Sequence, residues 1–119
     1  MNINKVVIIG SGTMGSGIAA QVANARIPVT LLDLPSKKGS RNQITENAKE
    51  RILKSRPPLL FKKNKIDLIS AGNIEDDFNL VSDADWVVEA VVERIDIKHN
   101  IYRKIEKVRK KESIISSNT

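Results

Sequence analysis

Residues 5–15 read KVVIIGSGTMG. Lys5 to Ile9 is a continuous, largely β-branched run closed by a glycine, the pattern of a strand buried on both faces. Gly10-Ser11-Gly12-Thr13-Met14-Gly15 then fits G-x-G-x-x-G, and from Thr13 to Ala25 the apolar spacing becomes helical. A glycine-rich turn alone says little. Placed between a buried strand and a helix, it reads as a dinucleotide-binding turn. There Gly10 would allow the tight reversal, Gly12 would let the backbone approach a pyrophosphate, and Gly15 would let the helix lie close to the strand. The N–H groups around Thr13 and Met14, at the positive end of the helix dipole, are the candidate phosphate donors. The competing reading is a glycine turn with a purely structural purpose.

Outward from this turn, the helix carries Met14, Ile18 and Val22 in one row and the small residues Gly15, Ala19 and Ala23 in the next. The small row would let it settle against a sheet. Ile27-Pro28 ends it, because proline cannot continue a helix and biases its predecessor towards extended geometry. Val29 to Leu32 is a second buried strand, and Asp33 stands at its end, 18 residues beyond Gly15. An acid at that place can accept hydrogen bonds from the adenosine ribose hydroxyls, and it would repel a 2′-phosphate. NAD is therefore expected over NADP, although Lys37 and Lys38 are cations that could hold such a phosphate.

The next segment, Lys38 to Ser55, is expected to be a helix with Ile44, Ala48, Ile52 and Leu53 on one side, broken by Pro57-Pro58. A loop and short helix should lead to an extended piece at Asn73-Ile74-Glu75, then a short helix around Phe78 to Ser82. Asp85 to Val91 (DWVVEAV) is a clear strand. Trp86, the only tryptophan, is expected to open that strand near the cofactor crevice. Asp96 to Lys110 is an amphipathic helix with Ile97, Ile101, Ile105 and Val108 on one face. Ser113 to Ser117 is a final strand. The alternation implies an α/β, Rossmann-type, doubly wound parallel sheet of about five strands, incomplete relative to the six-stranded order 3-2-1-4-5-6. Residues 1–119 form a single NAD-binding domain in this reading.

Composition narrows the function. The 119 residues contain 40% hydrophobic and 29% charged residues, ordinary for a globular chain, but only 3% aromatics, so Ile, Leu, Val and Ala must build the core. Without cysteine there are no disulfides, thiolate metal sites or cysteine nucleophile, and one histidine, His99, excludes a multi-histidine metal site. No metal is expected. The net charge of +6 comes from basic stretches at Lys37–Lys65 and Lys98–Lys111, with acidic residues between Asp67 and Asp96. These read mainly as solvated helix faces. A nucleic-acid partner is not expected, because Phe61, Phe78, Trp86 and Tyr102 are scattered and form no stacking platform. No run approaches the roughly 20 apolar residues of a membrane span. The N-terminus lacks the apolar region of a secretory signal, so a cytoplasmic location is expected.

Three separated stretches, VVIIGSGTMGSGIAAQVA, DWVVEAVVERIDIK and SIISSNT, together resemble the NAD-binding domain of the 3-hydroxyacyl-CoA dehydrogenases. The resemblance runs nearly the whole chain. It implies an oxidoreductase of fatty acid β-oxidation that passes hydride from a 3-hydroxyacyl-CoA to NAD. It places Gly10, Gly12 and Gly15 at the pyrophosphate and Asp33 at the adenosine ribose. It places Glu93 and Lys98 at the nicotinamide side; Ala90 to Glu93 follow the fourth strand, whose end should face the cofactor crevice, and Asn118 is the middle residue of the family's S-N-T motif. On residue type alone, Glu93 reads rather as a solvated carboxylate and Lys98 as a surface lysine. The excursion Lys37–Lys65 matches a family feature that helps hold coenzyme A. The resemblance also implies that the catalytic histidine, its acidic partner and the helical C-terminal domain lie beyond Thr119, so no catalytic residue is expected in this chain. His99, on the helix after the fourth strand, is expected to be a surface residue. Acyl-CoA is then the partner of the complete enzyme, and self-association or a separate C-terminal half would cover the unfinished sheet. The alternative is a stand-alone NAD-binding module with a regulatory or interaction role.

Overall fold

The computed structural model describes residues 3–91 and 95–117, with side chains of 95–98 left aside. Its strands are β1 (Val6–Ile9), β2 (Val29–Asp33), β3 (Ile69–Asn73), β4 (Trp86–Glu89) and β5 (Ile114–Ser117). The helices are α1 (Thr13–Asn24), α2 (Gln43–Lys54) and α3 (Ile95–Val108), with 3-10 turns at Lys63–Leu68 and Phe78–Asp83. All pairings are parallel and the order is β3-β2-β1-β4-β5. That is the expected Rossmann order, with β1 at the centre, where its two-sided apolar run predicts it.

The period-two alternation of β1 divides the core. Val6 and Ile8 join α1, Val29, Leu31, Ala48 and Ile52 on one face. Val7 and Ile9 join Leu32, Phe78, Val81, Val87, Ile101 and Ile105 on the other. Helix α1 buries Gly15, Ala19 and Ala23, the expected small row, together with Ser16, Ala20 and Val22. Met14, in the bulkier row, stays 56% exposed. A bulky row against the sheet would hold the helix off it, so the small residues win the contact. The helix closes one residue before the expected Ala25, and Arg26 adopts a left-handed conformation (φ 66°). Its N–H reaches the carbonyl of Ala23, and Ile27 N–H reaches that of Val22, which satisfies the terminal carbonyls as a C-terminal glycine usually would.

Two expectations fail locally. Helix α2 begins at Gln43, not Lys38, because Gly39 takes φ +72° inside a run of bends. It buries Thr45, Ala48 and Ile52, while Ile44 is exposed. Thr45 takes the sheet-facing place because its Oγ1 donates to the Gly72 carbonyl, which an isoleucine cannot do. The third strand is Ile69–Asn73, earlier than the expected Asn73–Glu75. Its small, turn-like residues hide it from propensity. Position 72 has no room for more, since a Cβ there would lie 2.9 Å from the Leu32 side chain and 2.7 Å from Asp77 Oδ2. Asn73 ends the strand by accepting the N–H groups of Glu75 and Asp76 on its own Oδ1.

Candidate functional site

The parallel strands bring their C-terminal ends, Ile9, Asp33, Asn73, Glu89 and Ser117, to one edge of the sheet. The three glycines of the turn lie there, and they lack a side chain for different reasons. Gly10 has φ +107°, and a Cβ on it would stand 2.6 Å from the Ala90 carbonyl oxygen. Its N–H donates to Leu32 O (2.7 Å), while Ala90 N–H donates to Ile9 O (2.8 Å), so the turn is stitched to both neighbouring strands. A Cβ on Gly15 would stand 1.9 Å from the Gly10 carbonyl oxygen. Both glycines are required by the fold. Gly12 is not: its φ of −71° suits any residue, and a Cβ would meet nothing within 4 Å. The space over Gly12 is thus open, as a backbone cradle for a pyrophosphate requires. Gly12 is also the N-cap of α1, which has no side-chain cap and no acidic residue in its first turn. The leading N–H groups at Thr13 and Met14 and the dipole are left for an anion.

Asp33 is already engaged. Its Oδ2 accepts Ser11 N–H (2.8 Å) and Ser11 Oγ (2.6 Å), and its Oδ1 accepts Leu34 N–H (2.7 Å). The acid expected at the ribose therefore also fixes the glycine turn. Ser11, only 2% exposed, is committed through its carbonyl as well, which accepts Ser16 Oγ (2.9 Å) and an Arg51 guanidinium N–H (2.8 Å). Beside Asp33, Ile74 N–H donates to the Asp33 carbonyl. Arg41 bridges Glu75 and Asp76, and this guanidinium holds the Asp76 carboxyl below the usual range.

On the other side of β1, Ala90 is 4% exposed beneath Gly10. Glu89, the last residue of β4, is fully buried (0% exposed). Its Oε2 accepts Val91 N–H (2.6 Å) and its Oε1 accepts Ser117 Oγ (2.9 Å). Glu93 and Asn118 lie outside the described residues, as does the Lys98 side chain, although its backbone belongs to α3. Of the expected site residues, the fold brings together Gly10, Gly12, Thr13, Met14, Gly15, Asp33 and Ala90.

Ser11, Arg51 and Glu89 were not legible as site residues. Ser11 occupies a free position of the glycine pattern, and Arg51 is one of three basic residues on α2. Glu89 did carry a signal, a charge inside the apolar run WVVEAV. Trp86 is a correction: it pairs with Val6 and Ile114, the first residues of their strands. It sits at the opposite edge of the sheet from Glu89, three residues and roughly 10 Å away, and cannot report directly on the crevice. His99 is exposed on α3.

A family model described as "3-hydroxyacyl-CoA dehydrogenase, NAD binding domain" matches residues 5–119. The chain belongs to this family. A Deinococcus radiodurans protein named "Probable 3-hydroxyacyl-CoA dehydrogenase" is 50% identical over 121 residues, covering 100% of this chain and 35% of the relative. An Arabidopsis thaliana peroxisomal fatty acid beta-oxidation multifunctional protein is 37% identical, over 98% of the chain and 16% of its own length. The chain thus spans about a third or less of these curated relatives. Among solved structures, 3-hydroxybutyryl-CoA dehydrogenase from Escherichia coli superimposes with a TM-score of 0.79 at 28% identity, covering 100% of this chain and 25% of that one. The region common to all of them is the family's NAD-binding domain, and NAD is its cofactor. No helix among the described residues is long and apolar enough to cross a membrane.

Proposed function

We propose that this chain forms the cofactor half of an enzyme oxidising 3-hydroxyacyl-CoA in fatty acid β-oxidation. The observation that carries the reading is the open cradle over Gly12, flanked by a helix start without a cap and by Asp33 at the end of β2. Backbone N–H groups at Thr13 and Met14 hold the pyrophosphate, and Gly10 and Gly15 keep turn and helix close enough to present them. Asp33 takes the adenosine ribose while continuing to orient Ser11. The resemblance gives Glu93, Lys98 and Asn118 roles on the nicotinamide side, next to Ala90 at the end of β4. Held there, NAD would supply the hydride acceptor for the carbon bearing the hydroxyl.

That step also needs a base, with a pKa near the working pH, in hydrogen-bond reach of the hydroxyl proton. The one histidine, His99, is exposed on α3, the helix that follows β4. The family resemblance assigns the base and the acyl-CoA site to a further domain, and we propose the same division here. The test is NADH formation from a short-chain 3-hydroxyacyl-CoA. The purified 119-residue chain should bind NADH yet show no steady turnover. Lack of a general base alone slows the reaction by about a hundred to ten thousand times. Adding the remaining domain of a full-length relative should produce turnover. Steady turnover by the chain alone would refute this division of labour, and no gain from the added domain would favour a stand-alone NAD-binding module.

A further inference from the structure

We infer that Glu89 is a positioning residue that holds the nicotinamide wall of the cofactor site. The inference rests on the NAD reading above and goes beyond it to a buried carboxylate with no role in the resemblance. A dinucleotide lies across the C-terminal ends of the strands, with its pyrophosphate at the β1–α1 turn. Asp33 at the end of β2 fixes the adenosine half on that side. The nicotinamide half then crosses β1 towards the ends of β4 and β5. Glu89 is the last residue of β4, in register with Ile9 of β1 and Ser117 of β5.

A fully buried carboxylate is costly unless its oxygens are satisfied. Packing alone would be served by valine, as at Val87 and Val88 one and two residues earlier on the same strand. What a valine cannot do is bond to the ends of two separate strand segments. Glu89 Oε2 holds the N–H of Val91, in the turn that leaves β4, and Oε1 holds the hydroxyl of Ser117, where β5 ends. One side chain thus fixes the two backbone exits that border the nicotinamide half, at a distance from the adenosine half set by the width of β1. A glutamine can keep both links: its carbonyl accepts Val91 N–H, and its amide donates to Ser117 Oγ. A leucine keeps neither.

The experiment compares two ligands on the 119-residue chain by calorimetry, NADH and ADP-ribose, which lacks only the nicotinamide ring. Ser117 is exposed, so Ser117→Ala removes one link without disturbing the core. It should weaken NADH about three- to tenfold, the net worth of one hydrogen bond, and leave ADP-ribose within about twofold. Glu89→Leu should lower NADH affinity further, and Glu89→Gln should recover most of that loss. If Glu89→Leu does not fold, Ser117→Ala and Glu89→Gln still decide. Equal losses for both ligands in Ser117→Ala, or no loss for either, overturn the positioning role while leaving the cofactor reading intact. A wild-type chain that binds neither ligand overturns the cofactor reading and this inference with it.

Discussion

The glycine pattern assigns Gly10, Gly12 and Gly15 different roles, and the structure supplies opposite predictions for Gly12 and Gly15. A methyl group at Gly15 meets a backbone carbonyl at 1.9 Å, and that carbonyl belongs to the turn itself. Gly15→Ala should therefore destabilise the chain by about 1–3 kcal/mol, the usual cost of overpacking, read as a lower melting temperature. Gly12→Val should cost about 1 kcal/mol of stability, the usual loss at an N-cap, with no overpacking, yet abolish NADH binding by filling the cradle. A folded Gly12→Val variant with unchanged affinity would place the nucleotide elsewhere. Asp33 leads to a second measurement. It puts a carboxylate, already bonded to Ser11, at the end of β2, where we propose that the adenosine ribose binds. NADP should bind at least about tenfold more weakly than NAD, a difference of about 1.4 kcal/mol. Equal affinities would remove Asp33 from the ribose.

At the scale of elements, the strand ends remote from the cofactor are tied by Asp85. It accepts N–H groups from Asn4 (2.8 Å) and Lys5 (3.1 Å), which lead into β1, and it pairs with Lys110 just after α3. Lys110, with those N–H groups, holds the Asp85 carboxyl below the usual carboxylate range. A carboxyl depressed by folding contributes stability above its unfolded pKa, about 4 for aspartate. That contribution is lost as pH falls through the lower folded value. Asp85→Asn should thus melt below wild type at pH 7, and the gap should narrow as pH falls below about 4. A gap that is constant with pH would mean that Asp85 acts only through its shape. The elements also show which local signals are trustworthy. β1, β2 and β4 announce themselves as β-branched runs because both faces are buried. β3 does not, because Gly72 and Asn73 are chosen by their contacts with Leu32, Asp77 and the turn that follows.

For the whole molecule, the outer strands set the behaviour. β4 has a burial pattern with three of four residues buried, whereas β5 has none, and Ile114 is 42% exposed. Among the described residues β5 pairs with β4 alone, so its outer edge carries unpaired backbone groups next to apolar surface. Such an edge invites pairing with another chain. The 119-residue chain should show a sedimentation-derived mass that rises with concentration, and Ile114→Lys should lower that tendency. A concentration-independent, cooperatively melting monomer would contradict this.

The sequence by itself determined the class of fold, its central strands and the location of the cofactor turn. Those features follow from local rules: two-sided burial selects β-branched runs, and a strand–glycine–helix junction selects G-x-G-x-x-G. It also determined that Asp33 stands at the end of β2, since strand length is counted along the chain. Only the tertiary structure showed what a Cβ would meet at each glycine, because the clashes at Gly10 and Gly15 arise from Ala90 and from the turn carbonyl while the space over Gly12 is open. Only it showed that Arg51 reaches Ser11 across 40 positions and that Glu89 reaches Ser117 across 28. Such bonds join residues distant in sequence, and no periodicity or spacing along the chain encodes them. They exist because a parallel sheet delivers the ends of all its strands to one edge.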